Sequence, residues 1–188
     1  CLALEDRGHT VVPFDTPEHD VCDSLDVIKA VSDVDGVINL AGLLGTSEMF
    51  GHEHAAVHVN ILGAVHLLDA TAMTNVPMVQ IATGHEGQLN PYAVTKACAS
   101  QLALSRAQWT GQSVAVVRAY HAYGPYQKPP PPFGTSPVRK IIPSFVCAAL
   151  LNAPLTIYGS GLQSVDLVHV DDVAETLVRA LAGPYGQV

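Results

Sequence analysis

The sequence predicts an α/β fold built on a doubly wound parallel sheet. Three observations predict it. Short apolar runs alternate with longer stretches of helical periodicity along the chain, the mark of repeated strand–helix–strand units with right-handed crossovers. The runs are continuously apolar, as strands buried on both faces require. Chemistry-bearing residues gather where a run ends, the edge at which open α/β sheets bind ligands.

The opening, Cys1-Leu-Ala-Leu-Glu-Asp-Arg-Gly8, reads as the last turns of a helix. Arg7 suits the negative end of its dipole, and Gly8 the left-handed position that follows. A start in mid-helix without Met leads us to expect that something precedes it. Residues 11–14, Val-Val-Pro-Phe, are predicted as a strand ending at Asp15, with Pro13 an awkward member. Ser24–Val31 is a helix with Ser24 as its expected cap. Residues 36–40 form the next strand. Residues 54–74 make a long helix with Val57, Ile61, Val65 and Leu68 on one stripe. A strand at 76–81, a helix at 91–109 with Pro91 in its first turn and a strand at 113–118 follow. Gln127 and Lys128 precede four prolines, Pro129 to Pro132, and Phe133. That stretch suits neither helix nor strand, and an extended loop is expected. A helix at 138–152, a strand at 155–158, a Gly159-Ser-Gly161 turn and a segment at 165–170 lead to a last helix at 171–181.

Hydrophobic residues are 48% and charged ones 14%, which excludes a disordered chain. The net charge of -8, with nine Lys and Arg in no cluster, argues against nucleic-acid binding, because phosphates need clustered cations. Cys1, Cys22, Cys98 and Cys147 form no CxxC and lack metal-finger spacing, so they read as reduced thiols. His52, His54 and His58 do not make an HExxH pattern, and no metal site is expected. No apolar run approaches the roughly 20 residues of a membrane span. No basic stretch followed by an apolar one opens the chain as a secretory signal would. A cytoplasmic protein is the expectation.

The central constellation is Tyr92-Ala-Val-Thr-Lys96. Residues four apart on a helix share a face, and an ammonium beside a phenol should draw the phenol's pKa from about 10 toward neutrality. That would make Tyr92 a general acid/base. Thr83 ends the preceding strand, where its hydroxyl can hold a substrate oxygen. Asp15, at the end of the first visible strand, is placed to bond a ribose 2′-hydroxyl, and no cation follows to hold a 2′-phosphate. Asn39-Leu40-Ala41-Gly42 offers small residues that let a backbone approach a ligand closely.

Taken in order, these segments resemble the extended short-chain dehydrogenase/reductase family, the NAD-dependent epimerase/dehydratase group. The likeness runs from Arg7-Gly-His and the acid at Asp15 through the Asp20-Val21 pair that meets adenine in the family. It continues through Leu40-Ala41-Gly42, the helix asparagine Asn60, and Thr83, Tyr92 and Lys96. It ends on Arg118-Ala-Tyr-His-Ala-Tyr-Gly-Pro125, Gly159-Ser-Gly161 and His169-Val-Asp-Asp172. The resemblance implies a Rossmann-like fold with NAD as cofactor and Thr83, Tyr92 and Lys96 as catalytic residues. It implies cofactor contacts from Asp15, Asp20, Val21, Leu40, Ala41, Gly42, Asn60, Tyr92, Lys96 and Tyr120, and a substrate contact from His121. Residues 1–126 would then be the dinucleotide-binding and catalytic domain. Residues 127–188 would be the Pro-rich loop and part of a substrate-binding region.

The sequence departs from the family in several places. The link from Thr83 to Tyr92 is short and lacks Val-Tyr-Gly. His121 replaces an Asn, and Val165 stands where an Arg meets the substrate diphosphate. Thr83-Gly-His-Glu86 replaces the dehydratase Thr-Asp-Glu. The expected activity is NAD-dependent oxidation or epimerisation of a sugar or nucleotide-sugar hydroxyl, with 4-epimerase or dehydrogenase chemistry favoured over dehydration. A non-catalytic NAD sensor or structural relative is the alternative. The family also implies a homodimer through helices 54–74 and 91–109, without membrane or nucleic-acid partners.

Overall fold

The structure is a computed structural model and describes residues 1–185; Gln187 and Val188, which end the expected substrate-binding region, lie outside the described residues. A short helix α1 (Leu2–Glu5) is followed by Gly8 at φ +78, the left-handed position expected of it. Helix α2 spans Ser24–Val31 as predicted, but its cap is Asp23, whose carboxylate accepts from the Leu25 and Asp26 N–H groups. Ser24 is already helical.

Strand β1 (Val37–Asn39) leads to one continuous helical run: α3 (Glu53–Ala56), a π-helical turn (Val57–Leu62) and α4 (Gly63–Thr74). Its buried positions are Ala56, Asn60, Gly63, Ala64, Leu67, Leu68, Ala70 and Thr71. Of the predicted stripe Leu68 is buried, but the inner face otherwise follows Ala56, Asn60, Ala64 and Leu67, one residue or about 100° from Val57, Ile61 and Val65, and Val57 is exposed. Apolar residues surround this helix, so tertiary packing chose the inner face, and it chose small residues that allow close approach. The run is long and apolar enough to cross a membrane by composition, contrary to the expectation, yet Leu68 and Ala64 are at 1% exposure inside the protein.

Strand β2 (Met78–Thr83), helix α5 (Pro91–Thr110) and strand β3 (Val114–Ala119) follow. The three strands pair parallel in the order β1-β2-β3, with Thr83 opposite Ala119. Side chains alternate between two cores, as the two-residue period of a strand dictates. Met78, Ala82, Val114 and Val116 join α2, α4 and α5 on one face. Val79, Ile81, Ala115 and Val117 pack on the other against helix α7 (Val170–Leu181) through Val173, Leu177 and Leu181. Helices on both faces make the doubly wound arrangement. Full burial of residues such as Met78 and Val114 contributes about 1.5–3 kcal/mol each.

Two predicted strands do not form. Residues 11–14 and 155–158 carry no ladder, and Val12, Leu155 and Ile157 are exposed. A strand needs a neighbour, and neither segment has one among the described residues; Pro13 also removes a donor. Conversely, β4 (His121–Tyr123) and β5 (Leu167–His169) form a parallel pair, although the sequence marked no strand at 121–123. The Pro-rich segment is not extended. It turns on itself, with Phe133 and Gly134 N–H donating to Pro130 O and Ser136 N–H to Pro129 O. Gly134 presses against Pro129 so closely that a Cβ would lie 2.5 Å from its carbonyl. Helix α6 (Ile141–Leu150) follows.

Candidate active site

The carboxyl ends of β1, β2 and β3 and the first turns of α5 gather the candidate catalytic residues. Thr83 is the last residue of β2 and is buried. Its Oγ1 accepts the His85 N–H at 3.2 Å. Helix α5 starts where Asn90 caps it by accepting the Ala93 N–H at 2.9 Å, with Pro91 at the position where a missing donor costs nothing. Tyr92 and Lys96 therefore occupy the first and second turns of a rigid 20-residue helix.

Lys96 is 3% exposed, and among the described residues no carboxylate pairs with it. Burial lowers its pKa from 10.5 to about 8. Tyr92 corrects an expectation. Burial raises its phenol above the ordinary 10, and the Thr83 hydroxyl pulls only partly the other way. The physical reason is that both groups of the pair are desolvated, and desolvation disfavours the phenolate as well as the ammonium.

Asn60 ties the site together from the π-helical turn. Its Oδ1 accepts the Leu43 N–H at 2.7 Å. Its Nδ2 donates to Thr95 Oγ1 at 2.9 Å and to the Leu43 carbonyl at 3.3 Å. One buried amide thus links the loop after β1 to helix α5. A π-turn is a recurrent feature of functional sites, and here it lies where Asn60 turns inward. Gly42 completes the cradle: a Cβ there would lie 3.1 Å from Asn60 Oδ1 and 3.4 Å from Lys96 Nζ. Asn39 supports the same loop by accepting the Ala41 N–H at 3.0 Å and donating to Gln80 Oε1 at 2.8 Å. Leu40 projects outward, exposed, while Ala41 packs partly on the core.

The structure brings Gly42, Asn60, Thr83, Tyr92 and Lys96 together. Asp15 and Asp20 stand apart on exposed turns, where their carboxylates accept the N–H groups of Thr16 and Cys22. The Val21 side chain belongs to the core and wedges against Gly63; its carbonyl accepts from His66 Nδ1 at 3.1 Å. Only its main chain can serve a ligand. Tyr120 and His121 follow β3. The Tyr120 ring lies on Gly84, where a Cβ would be 2.4 Å from it. His121 meets the ring of His85 edge-on, with centroids 4.5 Å apart. Burial, His85 and Lys140 lower the His121 pKa, opposed by Asp166.

Sequence reading missed the clasp around Thr83. Besides the Gly84–Tyr120 and His85–His121 contacts, Arg118 Nη2 bonds Glu86 Oε2 at 3.2 Å, and Gly84 N–H donates to Ala119 O. The signal was present in the two charged residues flanking the site, Glu86 and Arg118, but their pairing depends on β2 lying beside β3.

Comparison with known proteins gives a consistent picture. The sequence model of the NAD dependent epimerase/dehydratase family matches residues 1–187. The chain is 30% identical over 183 residues to a dTDP-glucose 4,6-dehydratase of Streptomyces antibioticus, covering 88% of this chain and 52% of that protein. It is 26% identical to the uncharacterized UDP-glucose epimerase YtcB of Bacillus subtilis, covering 85% and 53%. The fold is similar to that of the Bordetella bronchiseptica enzyme WbmF in complex with NAD+, with a TM-score of 0.81 at 22% identity over 95% of this chain and 58% of that one. The chain thus spans about half the length of the curated relatives it matches.

Proposed function

Because the chain belongs to the NAD dependent epimerase/dehydratase family, we propose that its site oxidises a hydroxyl of a sugar or nucleotide sugar, with Tyr92 as the proton acceptor. The observation that carries this reading is Lys96, a buried ammonium without an acidic partner among the described residues, beside the gap left by Gly42. Such a charge calls for neutral oxygens, and ribose hydroxyls fit it; the residues present therefore suit NAD, the family's cofactor. Lys96, Gly42, Leu40, Ala41, Asn60, Tyr92 and Tyr120 would hold its nicotinamide half, and Asp15, Asp20 and the Val21 main chain its adenosine half. When bound, NAD supplies the hydride acceptor.

The remaining chemistry falls to the side chains. The Thr83 hydroxyl accepts from His85 N–H and reaches the Tyr92 phenol, so its proton passes from Tyr92 to the substrate oxygen when substrate binds. Tyr92 takes the substrate's hydroxyl proton, and the Lys96 ammonium on the same helix face stabilises the phenolate. His121, at the sheet edge, contacts the substrate. A ketone released gives dehydrogenation; a ketone reduced from its opposite face gives the epimer. Elimination is the less favoured outcome although relatives are named dehydratases, because Glu86, the carboxylate nearest Thr83 in sequence, is engaged by Arg118.

The second reading is a non-catalytic NAD-binding relative, favoured by the raised pKa of Tyr92. Following NADH absorbance with a panel of nucleotide sugars and polyols separates the two: turnover lost in Tyr92→Phe supports catalysis, and NAD binding without turnover of any of them supports the second reading. A cytoplasmic homodimer goes with the enzymatic reading. Val57, Leu62, Val94 and Leu102 leave apolar surface exposed on the helical run Glu53–Thr74 and on α5, as an isologous helical contact requires.

A further inference from the structure

We propose that His85 is a substrate-binding residue, its Nε2–H donating to an acceptor oxygen of the sugar beside the hydroxyl that reacts. This rests on the nucleotide-sugar reading above and adds a residue to it. His85 lies two residues past the end of β2, and its main-chain N–H bonds Thr83 Oγ1 at 3.2 Å. Its ring stands edge-on to His121, with centroids 4.5 Å apart, and to Tyr120, at 6.2 Å. The imidazole therefore sits among Thr83, Tyr120 and His121, the residues assigned to the reacting oxygen, the cofactor and the substrate.

Which nitrogen carries the hydrogen follows from the cap of α5. The Ala93 N–H can only donate, so the Asn90 atom that faces it at 2.9 Å is the acceptor Oδ1. Asn90 Nδ2 is left to donate to Gln88 Oε1 at 3.2 Å. Gln88 Nε2 then donates to His85 Nδ1 at 3.4 Å. An amide nitrogen only donates, so Nδ1 is the acceptor and the neutral ring carries its hydrogen on Nε2. That atom is buried and has no partner among the described residues. Glu86 Oε1, on the next residue, is also without a partner and does not reach it; the Glu86 carboxylate is held by Arg118.

A buried donor with no acceptor is costly, and in a native site it calls for a ligand oxygen. The tautomer makes the demand specific, because a fixed N–H pairs an acceptor and discriminates against a ligand that has none there. Orientation by Asn90 and Gln88 lowers the ordering cost of the bond. A sugar oxygen and the carboxamide oxygen of the nicotinamide share this chemistry, and the test separates them.

The test is calorimetric titration of the protein with NAD, and of the NAD-loaded protein with UDP-glucose and dTDP-glucose. His85→Leu should bind the sugar nucleotide about tenfold more weakly, the effect of one good hydrogen bond, with the NAD dissociation constant unchanged. UDP and dTDP, which lack the sugar, should bind variant and wild type alike. His85→Gln, whose amide nitrogen can replace Nε2–H, should return sugar-nucleotide binding to within about threefold. Heteronuclear NMR of the imidazole nitrogens at about pH 8, where a free imidazole is neutral, should show the hydrogen on Nε2 in the signal that His85→Gln loses. Circular dichroism of each variant confirms the fold. A His85→Leu variant that binds the sugar nucleotide as the wild type does, one that loses NAD or UDP to the same extent, or a hydrogen on Nδ1 overturns the proposal and leaves the nucleotide-sugar reading standing. A wild type that binds neither sugar nucleotide overturns that reading, and the role of His85 with it.

Discussion

Replacing Lys96 by Met should make the protein more stable while removing its function. The buried ammonium has its pKa lowered from 10.5 to about 8, and each pH unit of such a displacement corresponds to about 1.4 kcal/mol. The folded state therefore carries about 3 kcal/mol of strain from Lys96 at neutral pH. The sign follows from protonation. Below about pH 8 the lysine is charged in both states, and the folded one bears the whole desolvation cost. Between about 8 and 10.5 the folded protein has shed the proton while the unfolded chain keeps it, so the cost shrinks as pH rises. Above 10.5 both states are neutral and the cost is gone. Methionine has a similar length, no charge and no hydrogen bond to lose. Lys96→Met should thus raise the melting temperature at pH 7 by roughly 6–12 °C for a domain of this size, with the gain disappearing toward pH 10.5. Thermal denaturation of both proteins across that range, alongside NAD titration, reads both effects. A variant no more stable than wild type at pH 7, or one whose gain is the same at pH 7 and 10.5, would refute a desolvated Lys96.

Other outcomes follow from the same geometry. Tyr92→Phe should lower turnover by about 10²–10⁴-fold, the usual contribution of an acid/base group, with the NAD dissociation constant nearly unchanged; a residual rate above about a tenth removes Tyr92 from that role. Asp15→Ala should narrow a preference for NAD over NADP, measured as the ratio of dissociation constants, because the carboxylate repels a 2′-phosphate. Gly84→Ala should cost about 1–3 kcal/mol of stability by overpacking Tyr120, and Tyr120→Ala should recover most of that in urea denaturation. Leu102→Glu should shift sedimentation at micromolar concentration toward monomer by burying an unpaired charge in the helical contact. A wild type that already sediments as a clean monomer with NAD present refutes the dimer.

Much of the architecture was legible in the sequence because its signals are local. Continuous apolar runs at β1, β2 and β3 specify strands covered on both faces, whatever covers them. Pro91 in the first turn and the Tyr92-to-Lys96 spacing place helix α5 and the shared face of its two candidate groups, because helical geometry is fixed within a turn. The family, too, was readable from short motifs in order.

What the tertiary structure decided was everything that needs a partner distant in the chain. Whether residues 11–14, 121–123 or 155–158 are strands depends on a neighbour to bond, and among the described residues only the second has one, in β5. Which face of the 53–74 helix is buried depended on α2 and α5, since its own apolar residues point all round. The clasp of Glu86, His85 and Gly84 on Arg118, His121 and Tyr120 exists because β2 and β3 lie side by side in register. The direction of the Tyr92 pKa was beyond the sequence for the same reason. Spacing sets which charges are close, but only the packed interior sets how little water remains to solvate them, and here desolvation outweighs proximity.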